Sequence, residues 1–454
     1  LGDVYKRQAQ EMLEFIRISP TCFHAVANIG RMLEAAGFQQ LQEKEEWKLE
    51  KGGRYYTERN DSSVIAFVIP EKEVGIRGFH MAAAHSDSPC FKIKEKPELT
   101  VEEHYLRLNT EKYGGMILST WLDRPLSVAG RLAVKNGNGI EGRLVNIDRD
   151  LCVIPNVAIH MNREMNKGVE YNPQVDLLPL LADVSFDEYD AHTTYDAQTA
   201  SENAEEQPEA VEKPTLAALA AETAGVDAET ILGEDLFLYT RQEGKMIGAK
   251  GEFVLSPRLD DLQSAFALTK AFTESTPAEY INLCAVFDNE EVGSGTRQGA
   301  DSTFLEDTLQ RITEGLQEGH STYLRWVADS FLISADNAHA VHPNHPEKAD
   351  PANRPYLNGG IVIKYHGSQK YTTDGISAAK MKDYCERAKV PYQTYANRSD
   401  IAGGSTLGNI STAHVSVSSV DIGLPQLAMH SAVETAGMKD TEYAVRALKE
   451  FWGE

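Results

Sequence analysis

Three observations predict an α/β fold: a mixed, largely parallel sheet covered by helices and interrupted by an inserted β-rich domain. From Phe237 onward, short continuous apolar runs alternate with helical patterns, as buried parallel strands joined by crossover helices do. Between about Phe91 and Leu181 the pattern changes to short strands with turn signals such as Asn136-Gly-Asn-Gly139. A chain of 454 residues is too long for one ordinary core, and two domains are expected. The division is placed as an insertion: residues 1–92 and 236–454 form one domain, and 93–235 interrupt it.

Residues 4–18 repeat apolar positions at helical spacing, and Ser19-Pro20 stops the run. A second helix is predicted over 23–36, ending at Gly37. Residues 55–70 and 74–84 alternate or run apolar, as strands do. In the last part, 281–287, 331–334, 360–365 and 415–422 read as strands. Helical patterns at 261–274, 304–316, 376–388 and 441–451 separate or follow them.

Lys+Arg 44 against Asp+Glu 68 gives a net charge of −24, which argues against a nucleic-acid partner, since phosphates call for a basic face. No apolar run approaches the roughly 18–20 residues that span a bilayer. The acid is concentrated: residues 183–235 hold fifteen acidic side chains and one basic one, Lys213. That stretch reads as an acidic surface segment whose tip, 199–214, is a mobile loop. Five scattered cysteines without a Cys-x-x-Cys pair suggest reduced thiols in a cytoplasmic protein. The opening LGDVYKRQ reads as a translated adapter remnant.

Ligands of open α/β sheets sit beyond the carboxyl ends of the strands, and acids and histidines gather there in this sequence. The run ending near Ala84 delivers His85-Ser86-Asp87, and 281–287 runs into Asp288-Asn-Glu-Glu291. Asp336 follows 331–334, His430 follows 415–422, and Asp260-Asp261 precede a helix. Singly, each has an ordinary reading: Asp260 as a helix cap, Glu290 and Glu291 as a solvated pair, Asp336 as a turn residue, His430 as a helix histidine. One shared site explains all five positions together. His85 and Asp336 would bind one metal, Glu291 and His430 a second, and Asp260 would bridge them, giving each zinc ion three protein ligands. Two doubly charged ions, three carboxylates and one hydroxide sum to zero charge. Asp87, two residues beyond His85, points the same way on extended chain and can accept from the imidazole. Glu290 is the candidate proton shuttle, and hydrolysis of a peptide or amide bond is the natural reaction.

The chain resembles the aspartyl aminopeptidase and aminopeptidase I family of dinuclear zinc exopeptidases. The resemblance rests on Ser19-Pro-Thr-Cys-Phe-His24, Ala84-His-Ser-Asp-Ser-Pro89, Trp121-Leu-Asp-Arg-Pro-Leu-Ser127 and Ile159-His-Met-Asn162. Further along it rests on Arg258-Leu-Asp-Asp261, Asp288-Asn-Glu-Glu-Val-Gly-Ser294, Asp336-Asn-Ala-His-Ala-Val-His-Pro-Asn344, Gly403-Gly-Ser-Thr-Leu-Gly408 and Met429-His-Ser431. It implies metal ligands at His85, Asp260, Glu291, Asp336 and His430, a general base at Glu290, and Asp87 supporting His85. It also implies two Zn²⁺ per subunit, with Co²⁺ or Mn²⁺ as substitutes, peptide substrates, and a zinc-exopeptidase fold. The insertion becomes a dimerisation domain within a tetrahedral dodecamer, and His160 reaches a neighbouring subunit's site to help stabilise the tetrahedral intermediate. His342 and Lys364 resemble substrate-pocket residues, and a cationic Lys364 favours an acidic first residue. Where the family has Leu-Asp-Asn-Leu this chain has Leu259-Asp-Asp-Leu262, a second acid beside the bridging position. Alternatives are an aminopeptidase of broad or neutral specificity, a carboxypeptidase or deacylase with the same metals, and a non-catalytic assembly protein on a peptidase scaffold.

Overall fold

The computed structural model describes residues 2–71, 75–184, 186 and 215–454. The chain divides into two compact units. The first comprises Leu1–Cys90, Tyr113–Thr120 and Gln242–Glu454; the second comprises Phe91–Lys112 and Trp121–Arg241. Residues 113–120, inside the expected insertion, therefore belong to the first unit.

The first unit is built on a nine-stranded sheet. Its centre is four parallel strands in the order Tyr280–Phe287, Gly78–His85, Phe331–Ala335 and Ser418–Gly423. These are the apolar runs of the sequence, and alternate side chains bury on opposite faces. Phe79, Met81 and Ala83 enter one apolar cluster with Phe304, Leu309, Trp326 and Leu407. Ala82 and Ala84 enter the other, with Met12, Ile29, Phe266, Met381 and Leu448. Helices Gly2–Arg17, Cys22–Ala35, Leu259–Thr273, Gly375–Arg387 and Asp440–Trp452 cover this second face. Helices Phe304–Gly315, His320–Ala328 and Leu407–His414 cover the first. A five-stranded sheet carries Phe253–Ser256 and Glu434–Gly437 side by side.

The structure revises several expected elements. Residues 55–70 form an antiparallel pair, Arg54–Arg59 and Ser63–Val68, because Asn60 and Asp61 take left-handed φ values of 59° and 55° and turn the chain. The last central strand begins at Ser418, after helix Leu407–His414, rather than at 415. Residues 187–214 of the acidic stretch, with the expected mobile tip, lie outside the described residues. Past Thr215 the chain is regular: Thr215 caps helix Leu216–Ala224 by accepting from Ala218 N, and Gly225 ends it at φ 66°. Strand Ile231–Thr240 follows and lies within the six-stranded sheet of the second unit. Among the described residues no helix is long and apolar enough to cross a membrane.

Candidate metal centre

The centre forms where the central strands end. Strand Gly78–His85 terminates in His85, Tyr280–Phe287 leads to Glu290 and Glu291, and Phe331–Ala335 leads to Asp336. Asp260 stands at the start of helix Leu259–Thr273 with non-helical torsions, and its peptide bond to Asp261 is cis. His430 follows strand Pro425–Leu427 at φ 67°.

These side chains converge in two groups that share Asp260. His85 Nε2 lies 3.4 Å from Asp260 Oδ1 and 3.7 Å from Asp336 Oδ1. His430 Nε2 lies 3.3 Å from both Asp260 Oδ2 and Glu291 Oε2. Glu290 Oε2 stands 3.8 Å from His85 Nε2. Ligands about 2.0–2.1 Å from one tetrahedral zinc ion are about 3.4 Å apart, so these spacings match two sets of ligand atoms. Among the described residues, fully buried His85 Nε2, Asp260 Oδ1 and Glu291 Oε1 find no hydrogen-bond partner, a costly arrangement for polar atoms unless a cation engages them.

The electrostatics also call for positive charge. Burial, reinforced by Asp336, Asp260 and Asp87 against the opposing pull of His85, pushes the Glu290 carboxyl up to about 8. Burial raises Glu291 as well. At His430 burial opposes protonation, but the Asp260 hydrogen bond and charge overcome it and lift the imidazole to about 9. Glu290, Glu291 and His430 thus favour added protons, whereas hydrogen bonds and charge from His430 and His85 hold the Asp260 carboxyl down against burial; metal cations would replace those protons. His85, Asp260, Glu291, Asp336 and His430 therefore fit a metal in donor type, spacing and charge.

A surrounding set of hydrogen bonds aims these groups. Asp87 Oδ1 accepts from His85 Nδ1 at 3.2 Å and from Glu290 N at 3.1 Å. Its Oδ2 accepts from Tyr113 Oη at 2.7 Å and Glu291 N at 3.1 Å. Asp87 thus supports the glutamate pair as well as His85. His430 Nδ1 bonds Gly115 O at 2.7 Å, and Ile117 N donates to His430 O. With Nδ1 of each histidine turned to an oxygen, Nε2 is left for the centre. Asp261 Oδ2 accepts from His85 N at 3.2 Å.

The centre opens into a cavity of about 340 Å³ whose lining includes Asp260, Glu290, Asp336, Lys364, Tyr371 and His430. Lys364 is buried there, and its Nζ donates to Asn337 O at 3.0 Å. His342 lines a second cavity of about 430 Å³, which shares His339, Tyr395 and Gly404 with the first. His160 belongs to the second unit, where it is exposed. Sequence reasoning missed Tyr113, Gly115 and Glu434, which lie outside the motifs and whose contacts with Asp87, His430 and Asp260 arise only on folding.

Two imidazoles and three carboxylates at the carboxyl edge of a mostly parallel sheet define a metallohydrolase of the zinc-exopeptidase class. The chain belongs to the aminopeptidase I zinc metalloprotease (M18) family, whose model matches residues 15–452. It is a zinc metalloaminopeptidase, a hydrolase of peptide bonds. A probable M18 family aminopeptidase 2 of Clostridium novyi is 47% identical over 446 residues, covering 98% of both chains. Among solved structures, a chain in the Ape4 and Nbr1 complex superposes with a TM-score of 0.90 at 36% identity, covering 99% of this chain and 86% of that one. A dodecameric mApe1 of S. cerevisiae superposes with a TM-score of 0.81 at 26% identity, covering 98% and 96%.

Proposed function

We propose that the chain removes single residues from peptide N-termini with two zinc ions per subunit, and that it favours an acidic first residue. The observation that carries this reading is the pair of ligand groups sharing Asp260, with Glu290 beside them and Lys364 in the same cavity. His85 and Asp336 would hold one ion, Glu291 and His430 the other, and Asp260 both. Zinc held by these residues would supply Lewis-acid polarisation of the scissile carbonyl and acidify a water. Glu290 accepts a proton from the attacking water and returns it to the leaving amine nitrogen as the C–N bond breaks. Asp87 holds that carboxylate's main chain through Glu290 N. Lys364 Nζ supplies positive charge for the carboxylate of an Asp or Glu side chain.

A second reading, preference for neutral first residues, is favoured by one observation: Lys364 already donates to Asn337 O and stands 5.4 Å from the Tyr371 ring. A panel of Asp-, Glu-, Leu- and Lys-linked chromogenic substrates separates the two. Acidic preference predicts that Asp and Glu lead and that Lys364→Met abolishes their advantage. A panel led by Leu or Lys rejects it. N-acetylated peptides should resist cleavage, which distinguishes an aminopeptidase from a deacylase.

The dodecameric S. cerevisiae relative supports a homo-oligomer, and we assign this chain a tetrahedral dodecamer with residues 93–235 as the dimerising insertion. His160 would then serve a neighbouring subunit, and His342 the peptide beyond the first cavity. Cytoplasmic residence is part of the same proposal, supported by the sparse, unpaired cysteines.

A further inference from the structure

We propose that Glu434 is a positioning residue of the metal centre, holding Asp260 and His430 in register through their main-chain amides. The inference rests on the reading of those two residues as metal ligands and assigns a role to a side chain outside the ligand set. Glu434 opens strand Glu434–Gly437, which pairs with Phe253–Ser256 so that Glu434 faces Ser256. This register brings its carboxylate beneath the chain leading to Asp260. Glu434 is 2% exposed. Its Oε2 accepts from Asp260 N at 3.0 Å, and its Oε1 accepts from His430 N at 2.7 Å.

Both amides lie in irregular backbone that regular hydrogen bonding does not serve. Asp260 has φ −85° and ψ 106° at the mouth of a helix, and His430 has φ 67°. A buried amide without an acceptor is costly, so the buried Asp260 amide depends on the carboxylate, and the part-buried His430 amide shares it. The two side chains then meet with His430 Nε2 3.3 Å from Asp260 Oδ2. One side chain thereby fixes two ligand residues 170 positions apart in sequence. Only a carboxylate presents two acceptor oxygens; the carboxamide of glutamine would turn an N–H toward one of the amides. Glu434 makes its contacts behind the ligands, so its influence should fall on metal affinity and coordination.

The test compares Glu434→Gln with Asp440→Asn. Asp440 is an equally buried carboxylate that accepts from Asn358 N at 2.7 Å and Gly360 N at 2.9 Å, with none of the proposed ligands among its partners. Each protein is stripped of metal and titrated with Co²⁺, and the number bound, the visible absorption spectrum, chelator competition and thermal midpoint are read. The wild type binding two Co²⁺, and His430→Ala losing one, tests the ligand reading separately. Glu434→Gln is expected to weaken one ion about 10–100-fold and to shift the spectrum. Asp440→Asn is expected to lower the thermal midpoint without altering the number of ions bound, their spectrum or their chelator competition. If the wild type binds two ions and Glu434→Gln matches its affinity and spectrum, the proposal is overturned while the ligand reading stands. Should Glu434→Gln fail to fold, Glu434→Asp, which keeps the charge on a shorter arm, is judged by the same readouts.

Discussion

Replacing Asp87 by asparagine changes one oxygen to an NH₂ group at nearly constant shape, and the structure fixes what that costs. Each Asp87 oxygen receives two donors: His85 Nδ1 and Glu290 N at Oδ1, Tyr113 Oη and Glu291 N at Oδ2. Two of the four can adapt. His85 Nδ1 also reaches Asp87 O at 3.0 Å, and the Tyr113 hydroxyl can rotate. The two main-chain amides cannot. Whichever way the amide group turns, it confronts either Glu290 N–H or Glu291 N–H with another donor. A buried, unsatisfied N–H costs about 1–3 kcal/mol, and losing the charge from the remaining bonds adds about 1 kcal/mol. The sum, about 2–4 kcal/mol, falls on the loop carrying the proposed base and one proposed ligand. At 1.4 kcal/mol per tenfold this corresponds to about 30–1,000-fold. We expect Asp87→Asn to lower kcat/KM within that range on zinc-saturated enzyme, with weaker zinc retention against a chelator. If both stay within threefold of wild type, Asp87 does not hold the glutamate pair and the reasoning fails.

Glu290→Gln should retain zinc by elemental analysis while kcat falls about 10²–10⁴-fold; full activity with metals bound would refute the base assignment. His80 supplies a pH test away from the centre. It is stacked 3.7 Å from Tyr280 and 4.6 Å from Phe451 between ring centroids, and burial lowers its pKa to about 4. The unfolded chain therefore binds this proton more readily, so the contribution is fully present above about pH 6.5. It is lost as pH falls from there through about 4, amounting to about 3 kcal/mol. Urea unfolding of His80→Gln should show a flatter acid limb, and an unchanged slope would refute the assignment.

The proposed ligand and base positions were legible because they follow apolar runs. His85, Glu290, Glu291 and Asp336 lie at or just beyond strand ends, where strand placement alone brings distant residues together. Glu434 was not legible: an acid at the start of a short strand resembles a surface residue until pairing with Ser256 buries it. Tyr113 and Gly115 were missed because one ends and the other follows strand Tyr105–Tyr113, inside the stretch expected to form a separate domain. Helix Leu216–Ala224 did carry its signals, Thr215 before and Gly225 after, but the surrounding acid obscured them. Asn60-Asp61 turned the stretch 55–70, expected as strand, without the glycine that usually marks such a turn.

The return of residues 113–120 to the first unit bears on how such a protein could arise or be re-engineered. The chain passes from one unit to the other at 90/91, 112/113, 120/121 and 241/242. A single deletion of 93–235 would remove the smaller unit and, with it, the Tyr113 hydroxyl at Asp87 and the Gly115 carbonyl at His430. The smaller unit is thus not a detachable cassette. A minimal peptidase would need two separate excisions with the eight-residue strap of 113–120 kept between them.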